Sequence, residues 1–408
     1  MPEGNFPPNK PRFGSQFAGT ADYDTQRLKK SKAYSVLDEI GEALEPSATQ
    51  QQRAEVSYLA VGAWLAEDPR LKETQIYAQG SAAHGTMNKP IGRNEHDVDL
   101  ICHIPTLPEA TAPAILKAMV GERLRENSRY RDILEEMPRC WRLNYAGDFH
   151  LDITPSILNA ACINGGELVP DKRLRAYKAS NPKGYRDLFA RRASLQPMQR
   201  VSRDGIVAKS DVEPFPTHGA KGILRRTVQL LKRHRDIAFV ATNAPETAPL
   251  SIIITTLASQ GYEWCVTHHH YDNELDLLCD TVRAMPWFIR HDVQDGSRTH
   301  LILNETTDGE NFAEKWNAEP ARAAAFTQWH ERALRDFERL AATAGLDQLG
   351  AELEAALGKE PVAKAMNNTV QAIGTARTAG RLGVSVGAGL SLRSTASTAV
   401  RPNTFFGR

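Results

Sequence analysis

Very little of this chain is apolar in one run. No stretch of its 408 residues is long and hydrophobic enough to span a membrane. The first residues, with Pro2, Pro7, Pro8 and Pro11, carry no apolar segment of the secretory kind. Cysteine is scarce. Cys102, Cys140, Cys162, Cys265 and Cys279 are an odd number and include no C-x-x-C pair. That argues against a disulfide framework or a zinc site, and fits reduced thiols in a cytoplasmic protein. An excess of one charge is missing too. The 50 Lys and Arg against 49 Asp and Glu leave a formal net charge of +1. Such a balance speaks against a dedicated nucleic-acid coat, though not against a local basic patch. There are no internal repeats, and the length allows two domains.

The chemistry that is present concentrates in three short stretches. Residues 74–78 have the pattern of a strand running into Gln79-Gly80-Ser81, and residues 98–104, after His96-Asp97, that of a second strand. Side chains alternate across a strand, so Asp97 and Asp99 share one face while Val98 and Leu100 turn to the core. Two carboxylates about 7 Å apart on one face offer hard oxygens to an ion such as Mg2+. A helix opening at Ser81 would present free N–H groups and a hydroxyl to a phosphate. Gly80 would allow close backbone approach, with Gln79 beside it on the strand end. A third carboxylate, Asp152, sits in the alternating run Phe149-His150-Leu151-Asp152-Ile153. A phosphate cradle and three strand carboxylates suit metal-assisted transfer of a nucleotidyl group. The plainer reading has solvated carboxylates near strand ends and an ordinary helix cap at Ser81. It does not call for a Gly-Ser turn beside them.

Residues 1–20 have the composition of a flexible arm. Helical spacing follows over 23–44, with Ala33, Val36, Leu37, Ile40 and Leu44 on one stripe. Ser47-Ala48-Thr49-Gln50 has the form of a capping box opening a second helix, with Ala54, Tyr58, Val61 and Leu65 on its buried side. A third helix is expected over about 110–127, with Ile115, Leu116, Met119, Val120 and Leu124 inward. Gly147-Asp148 marks the turn of a hairpin joining 142–145 to 150–153, and Asp148 at its tip is expected on the surface. Residues 155–178 look irregular, 181–192 helical, and 195–217 like a linker. Helices are then expected over 220–236, 249–260, 273–290 and 312–344, the last closed by Gly345 as a C-cap. His268-His269-His270 lacks cysteine partners and fits a solvated helix end better than a zinc site. From Pro361 the chain is rich in Gly, Ala, Ser and Thr and has basic but no acidic residues, so disorder until bound is expected.

The pattern Gln79-Gly80-Ser81 … Asp97-x-Asp99 … Asp152 resembles the DNA-polymerase-β-like nucleotidyltransferase superfamily. Within it, the chain is similar to the bacterial cGAS-like (CD-NTase) cyclic-oligonucleotide synthases of anti-phage CBASS systems, over about residues 23–346. The resemblance implies an α+β fold. A polymerase-β-like core with long N-terminal helices would span 21–205 and a helical C-terminal domain 206–350, flanked by the arm at 1–20 and a disordered basic tail at 361–408. Two Mg2+ ions, with Mn2+ as the alternative, would be held by Asp97, Asp99 and Asp152, the catalytic carboxylates. Gln79, Gly80 and Ser81 would bind the nucleotide. Lys232 and Ser251, each on a helix of the second half, would reach the triphosphate. The alternative for Lys232 is one of several solvated cations on its helix.

Residues 304–316 are similar to the family's Asn-Pro…Glu-Asn-Phe-x-x-x-Trp stretch, with Glu305 in place of proline. Phe312 and Trp316 fit core anchors. The implied activity makes a cyclic di- or trinucleotide second messenger from ATP and/or GTP with release of pyrophosphate. A template-independent RNA-terminal nucleotidyltransferase and a nucleotide-binding pseudoenzyme are the alternatives. Some members of the family are encoded beside ubiquitin-ligase-like partners that conjugate the synthase C-terminus. That gives the end Phe405-Phe406-Gly407-Arg408 a second reading, besides a frayed terminus, as a segment that threads into such an enzyme. Neither a membrane nor a dedicated nucleic-acid module is expected.

Overall fold

The computed structural model describes residues 20–71, 73–92, 96–171, 173–197, 221–240, 242–294, 297–343, 345–385, 389–392 and 398–399. Most of the expected arm and linker, and the last residues of the tail, lie outside them. The described residues open with α1 (Thr20–Ala43) and α2 (Ala48–Ala66). The capping box at α2 forms as its sequence predicts: the Gln50 amide donates to Ser47 Oγ, and the Ser47 amide donates to Gln50 Oε1. Next come β1 (Gln75–Gln79), α3 (Gly80–His84), β2 (His96–His103), α4 (Pro113–Glu126) and α5 (Ser128–Arg131). The strands β3 (Leu134–Glu136), β4 (Trp141–Tyr145), β5 (Phe149–Leu158), β6 (Glu167–Pro170) and β7 (Tyr177–Ser180) lead to α6 (Pro182–Ser194).

These strands form one mixed sheet in the order β1-β2-β5-β4-β3, with β6 on the far end of β5 and β7 beyond it. Only β2 and β5 run parallel; the other pairs are antiparallel. Alternation then sorts the side chains. Val98, Leu100 and Cys102 of β2, Leu143 of β4 and Leu151 and Ile153 of β5 form one core with Val61 and Leu65 of α2 and Leu116, Val120 and Leu124 of α4. The opposite face of β2 and β5 keeps its carboxylates.

A second core is helical. It is built from α7 (Ile223–Phe239), α8 (Ser251–His268), α9 (Glu274–Ala284), α10 (Glu314–Ala318), α11 (Ala321–Leu340), α12 (Leu346–Leu357) and α13 (Lys359–Thr378). The helix α1 joins this core, not the sheet's: Val36, Leu37 and Ile40 of α1 pack with Leu224, Val228 and Leu231 of α7. A hairpin, β8 (Arg290–Gln294) with β9 (Ser297–Leu301), stands apart, as do the short strands β10 (Leu382–Ser385), β11 (Gly389–Leu392) and β12 (Thr398–Ala399).

Several expectations are corrected. Ile115 is 57% exposed, and the inward place beside it goes to Lys117, whose ammonium donates to Glu136 (2.7 Å) and the Met137 carbonyl (2.6 Å). Residues 155–178 are not irregular, because β5 runs on to Leu158 and β6 and β7 follow. The expected helix over 312–344 is two, split at Glu319-Pro320, where Pro320 caps α11 and has no N–H to continue α10. Gly345 caps the start of α12 rather than the end of α11. The tail expected to be disordered from Pro361 begins instead inside α13. Pro361 falls in the first turn, where its missing N–H costs nothing, and Val362 and Ala365 bury into the helical core.

Candidate active site

The site begins at the end of β1. Gln79 pairs with Asp99 across the antiparallel register, and the chain then turns sharply into α3. Gly80 makes that turn with φ +61, a left-handed conformation that L side chains resist. It also leaves room: a Cβ there would lie 2.6 Å from Asp99 Oδ2. The Gly-Ser turn and the Asp-x-Asp strand are thus in direct van der Waals contact.

The parallel register of β2 and β5 sets Asp99 beside Asp152 and Asp97 beside His150. Asp99 is half-buried at the edge of the cleft, next to two other carboxylates. Burial first, then Asp152 and Asp97, raise its carboxyl to about 6. Asp97 stands out towards solvent, its side chain 59% exposed. Asp152 faces a residue that the motifs did not single out. Arg142 of β4 donates to it through Nε (2.6 Å to Oδ1) and a terminal nitrogen (2.8 Å to Oδ2), and lies 3.5 Å from Asp97. Arg142 was legible all the same: a hairpin turning at Gly147 puts 142 opposite 152. Asp148, expected on the surface, is half-buried, its side chain 17% exposed and paired with Arg53 at 3.2 Å.

The other wall comes from the helical half. A cleft of about 400 Å³ is lined by Gly80, Ser81, Asp97 and Asp99 on one side and by Lys232 and Ser251 on the other. Gln79 and Asp152 are not among its lining residues. Lys232 is 7% exposed and donates to the Thr86 carbonyl at 2.8 Å. Burial, with Arg235 nearby, lowers its ammonium to about 8, against the opposing pull of Asp236 and Asp99. Ser251 is the first residue of the 18-residue α8, so the positive end of that helix looks into the cleft. Arg235 holds the Ser251 hydroxyl (3.2 Å), the Pro249 carbonyl (2.7 Å) and Asp236 (2.7 Å), and with Asp236 also lines the cleft. His84, beneath the Gly-Ser turn, is kept neutral: burial, then Lys232, Arg225 and Arg186, lower it to about 4.

Do these residues fit a metal? Among the described residues no three His, Cys, Asp or Glu side chains already converge as a cage, since Asp152 is turned to Arg142. Asp97 and Asp99 do fit a divalent cation. They are hard oxygen donors facing the cleft, and the Asp99 carboxyl, raised first by desolvation and then by Asp152 and Asp97, sits where a cation would offset both costs. In the histidine run, α8 ends at His268, and His268 and His270 are exposed. Of the other stretch read from sequence, Trp316 is 4% exposed and Phe312 packs against the same core.

Residues 32–192 match the Second Messenger Oligonucleotide or Dinucleotide Synthetase domain, SMODS. A c-di-GMP synthase of Roseivirga ehrenbergii is 30% identical over 385 residues, 93% of this chain and 98% of that protein. The structure of the Bradyrhizobium diazoefficiens CD-NTase CdnG in complex with GTP superposes with TM-score 0.64 at 18% identity, covering 83% of this chain and 100% of that one. That of E. coli MS115-1 CdnC with ATP gives 0.58 at 11%, covering 80% and 98%.

Proposed function

The chain belongs to the bacterial cGAS-like (CD-NTase) family of cyclic-oligonucleotide synthases, and from that premise we propose that it joins two GTP molecules into cyclic di-GMP, releasing pyrophosphate at each bond. The choice of guanosine rests on the Roseivirga ehrenbergii relative, a c-di-GMP synthase matched along 98% of its length. The observation that carries the chemistry is the facing of two walls across one cleft. Gly80, Ser81, Asp97 and Asp99 lie on one side, Lys232 and Ser251 on the other.

In this reading the β- and γ-phosphates lie between Ser81 and the pair Lys232 and Ser251. Asp97 and Asp99 hold divalent metal, proposed as two Mg2+ with Mn2+ as a substitute. When bound, the metal polarises the α-phosphate and acidifies the attacking ribose hydroxyl. Asp152 accepts a hydrogen bond from that hydroxyl, and Arg142 fixes the carboxylate that does so. The hydroxyl gives its proton to the Asp152 carboxylate, and its oxygen bonds to the α-phosphorus as the bond to pyrophosphate breaks. A second round, between the two joined nucleotides, closes the ring. Among the described residues no helix is long and apolar enough to cross a membrane.

Signalling in anti-phage defence is part of the same proposal. So is conjugation of the C-terminus by a ubiquitin-ligase-like partner, whose site in residues 400–408 lies outside the described residues. A covalent high-mass adduct on co-expression with such a ligase tests the latter. For the chemistry, purified protein is incubated with labelled GTP, ATP or both and Mg2+, then with phosphatase. A protected guanosine product supports the reading. Extension of an added RNA, or no transfer at all, overturns it.

A further inference from the structure

Two halves of the chain must face each other for the cleft to work, and the face of α7 that meets the sheet half is polar. Residues 225, 229 and 232 are four and three apart, so they share one side of the helix. Each grips a main-chain carbonyl of the segment that follows Ser81. Arg225 Nε donates to the His84 carbonyl at 3.0 Å, Lys232 Nζ to that of Thr86 at 2.8 Å, and Gln229 Nε2 to that of Met87 at 3.0 Å. Asn88 Nδ2 donates back to the Gln229 carbonyl at 2.8 Å. The Thr86 amide donates to the Ser81 carbonyl at 2.9 Å, so the grip reaches the Gly-Ser turn through a single residue.

Gln229 is the centre of this arrangement and is fully buried. Its Oε1 accepts from Arg226 at 2.9 Å, and Arg226 is itself held by Asp38 (2.5 Å) and Glu45 (3.0 Å) of the N-terminal helix region. An arginine can only donate and a carbonyl can only accept, so the orientation of the Gln229 amide is fixed at both ends. The apolar residues of α7, Leu224, Val228 and Leu231, anchor the helix in its own core independently.

We propose that Gln229 is a positioning residue. It fixes the segment behind Ser81 against α7, so that Lys232 faces the Gly-Ser turn before a nucleotide arrives. The proposal builds on the nucleotidyl-transfer reading, because its catalytic consequence is the alignment of the triphosphate with Asp97 and Asp99. Loss of the grip lets that alignment wander without removing any group that binds the phosphates.

The test uses the full chain with Gln229→Met, Gln229→Glu and Arg225→Met, singly and with Gln229→Met and Arg225→Met combined. Methionine keeps the volume of Gln229 and loses its hydrogen bonds. Glutamate keeps the bond from Arg226 but cannot donate to Met87. GTP kinetics and amide hydrogen exchange over 84–88 are measured well below melting. The expected result for both Gln229 variants is a kcat about tenfold or more lower, with KM changed by less than about threefold. The Thr86 amide exchanges faster, and the double variant loses less than the product of the two singles. A purely structural role would lower the melting temperature and leave kcat alone. A kcat within about twofold of the parent, with unchanged exchange at Thr86, overturns the proposal. Should the Gln229 variants not fold, Arg225→Met decides by the same two readouts. If the parent chain makes no protected product, the functional reading falls, and the exchange data still decide whether Gln229 holds the segment.

Discussion

Replacing Gly80 by alanine should cost the fold little and the chemistry a great deal. The backbone there has φ +61, and a non-glycine residue in that region costs about 1–2 kcal/mol. In a chain of this size, that lowers the melting temperature by at most a few degrees. The added methyl would also lie 2.6 Å from Asp99 Oδ2. That contact is with the end of a side chain, so the protein can relieve it by turning the Asp99 carboxylate away. The relief is cheap in stability and displaces the group expected to hold metal. A displacement of about 1 Å at a catalytic group can cost about 100-fold in rate, or about 2.7 kcal/mol. Gly165→Ala is the matched control, because Gly165 has φ +71 with nothing within 4 Å of the added methyl. Pyrophosphate release and thermal melting are measured on both. Similar small drops in melting temperature are expected, with release falling about 100-fold in Gly80→Ala alone. Gly80→Ala keeping more than about a third of the parent rate would refute the argument.

Three further outcomes follow from the site. Asp97→Asn with Asp99→Asn should abolish pyrophosphate release without lowering the melting temperature at pH 8. The folded Asp99 carboxyl holds its proton up to about pH 6 against 3.8 for the ordinary group, so its ionisation above that range opposes folding and Asn removes the penalty; retained turnover would sink the metal-binding role. Lys232→Ala should raise KM for GTP more than it lowers kcat. In the parent KM should climb as pH passes about 8, where the lowered ammonium loses its proton and the charge present below that pH disappears; a flat KM profile from pH 7 to 9 would return Lys232 to a purely structural place. Arg142→Lys should lose activity nearly as fully as Arg142→Met, because one ammonium cannot reproduce the two-pronged hold on Asp152; full activity in the lysine variant would contradict it.

The sheet half was legible because its signals are local. A strand ending in Gly-Ser, an Asp-x-Asp alternation and a Gly-Asp turn each fit within a few residues, and β1, β2 and the β4–β5 hairpin follow from them. What was lost depends on distant partners. The apolar stripe of α1 says that a face is buried, but not that it is buried against α7, some 190 residues later. Arg142 could be paired with Asp152 only by counting the hairpin register. The polar face of α7 looks like a run of surface cations until His84, Thr86 and Met87 are seen to offer their carbonyls to it. The composition of residues beyond Pro361 suggests disorder, yet a few small apolar side chains suffice when a finished helical core waits for them.

The central claim is cyclisation of guanosine nucleotides, and the count of pyrophosphate against product tests it most directly. Purified protein is given GTP and Mg2+ until turnover stops. Pyrophosphate is quantified, and the phosphatase-resistant product is weighed by mass spectrometry. A closed ring requires one pyrophosphate for every guanosine in the product and no terminal phosphate, and that is the result expected. One pyrophosphate for every two guanosines, with a product that phosphatase trims, would mean a linear dinucleotide and would contradict the account.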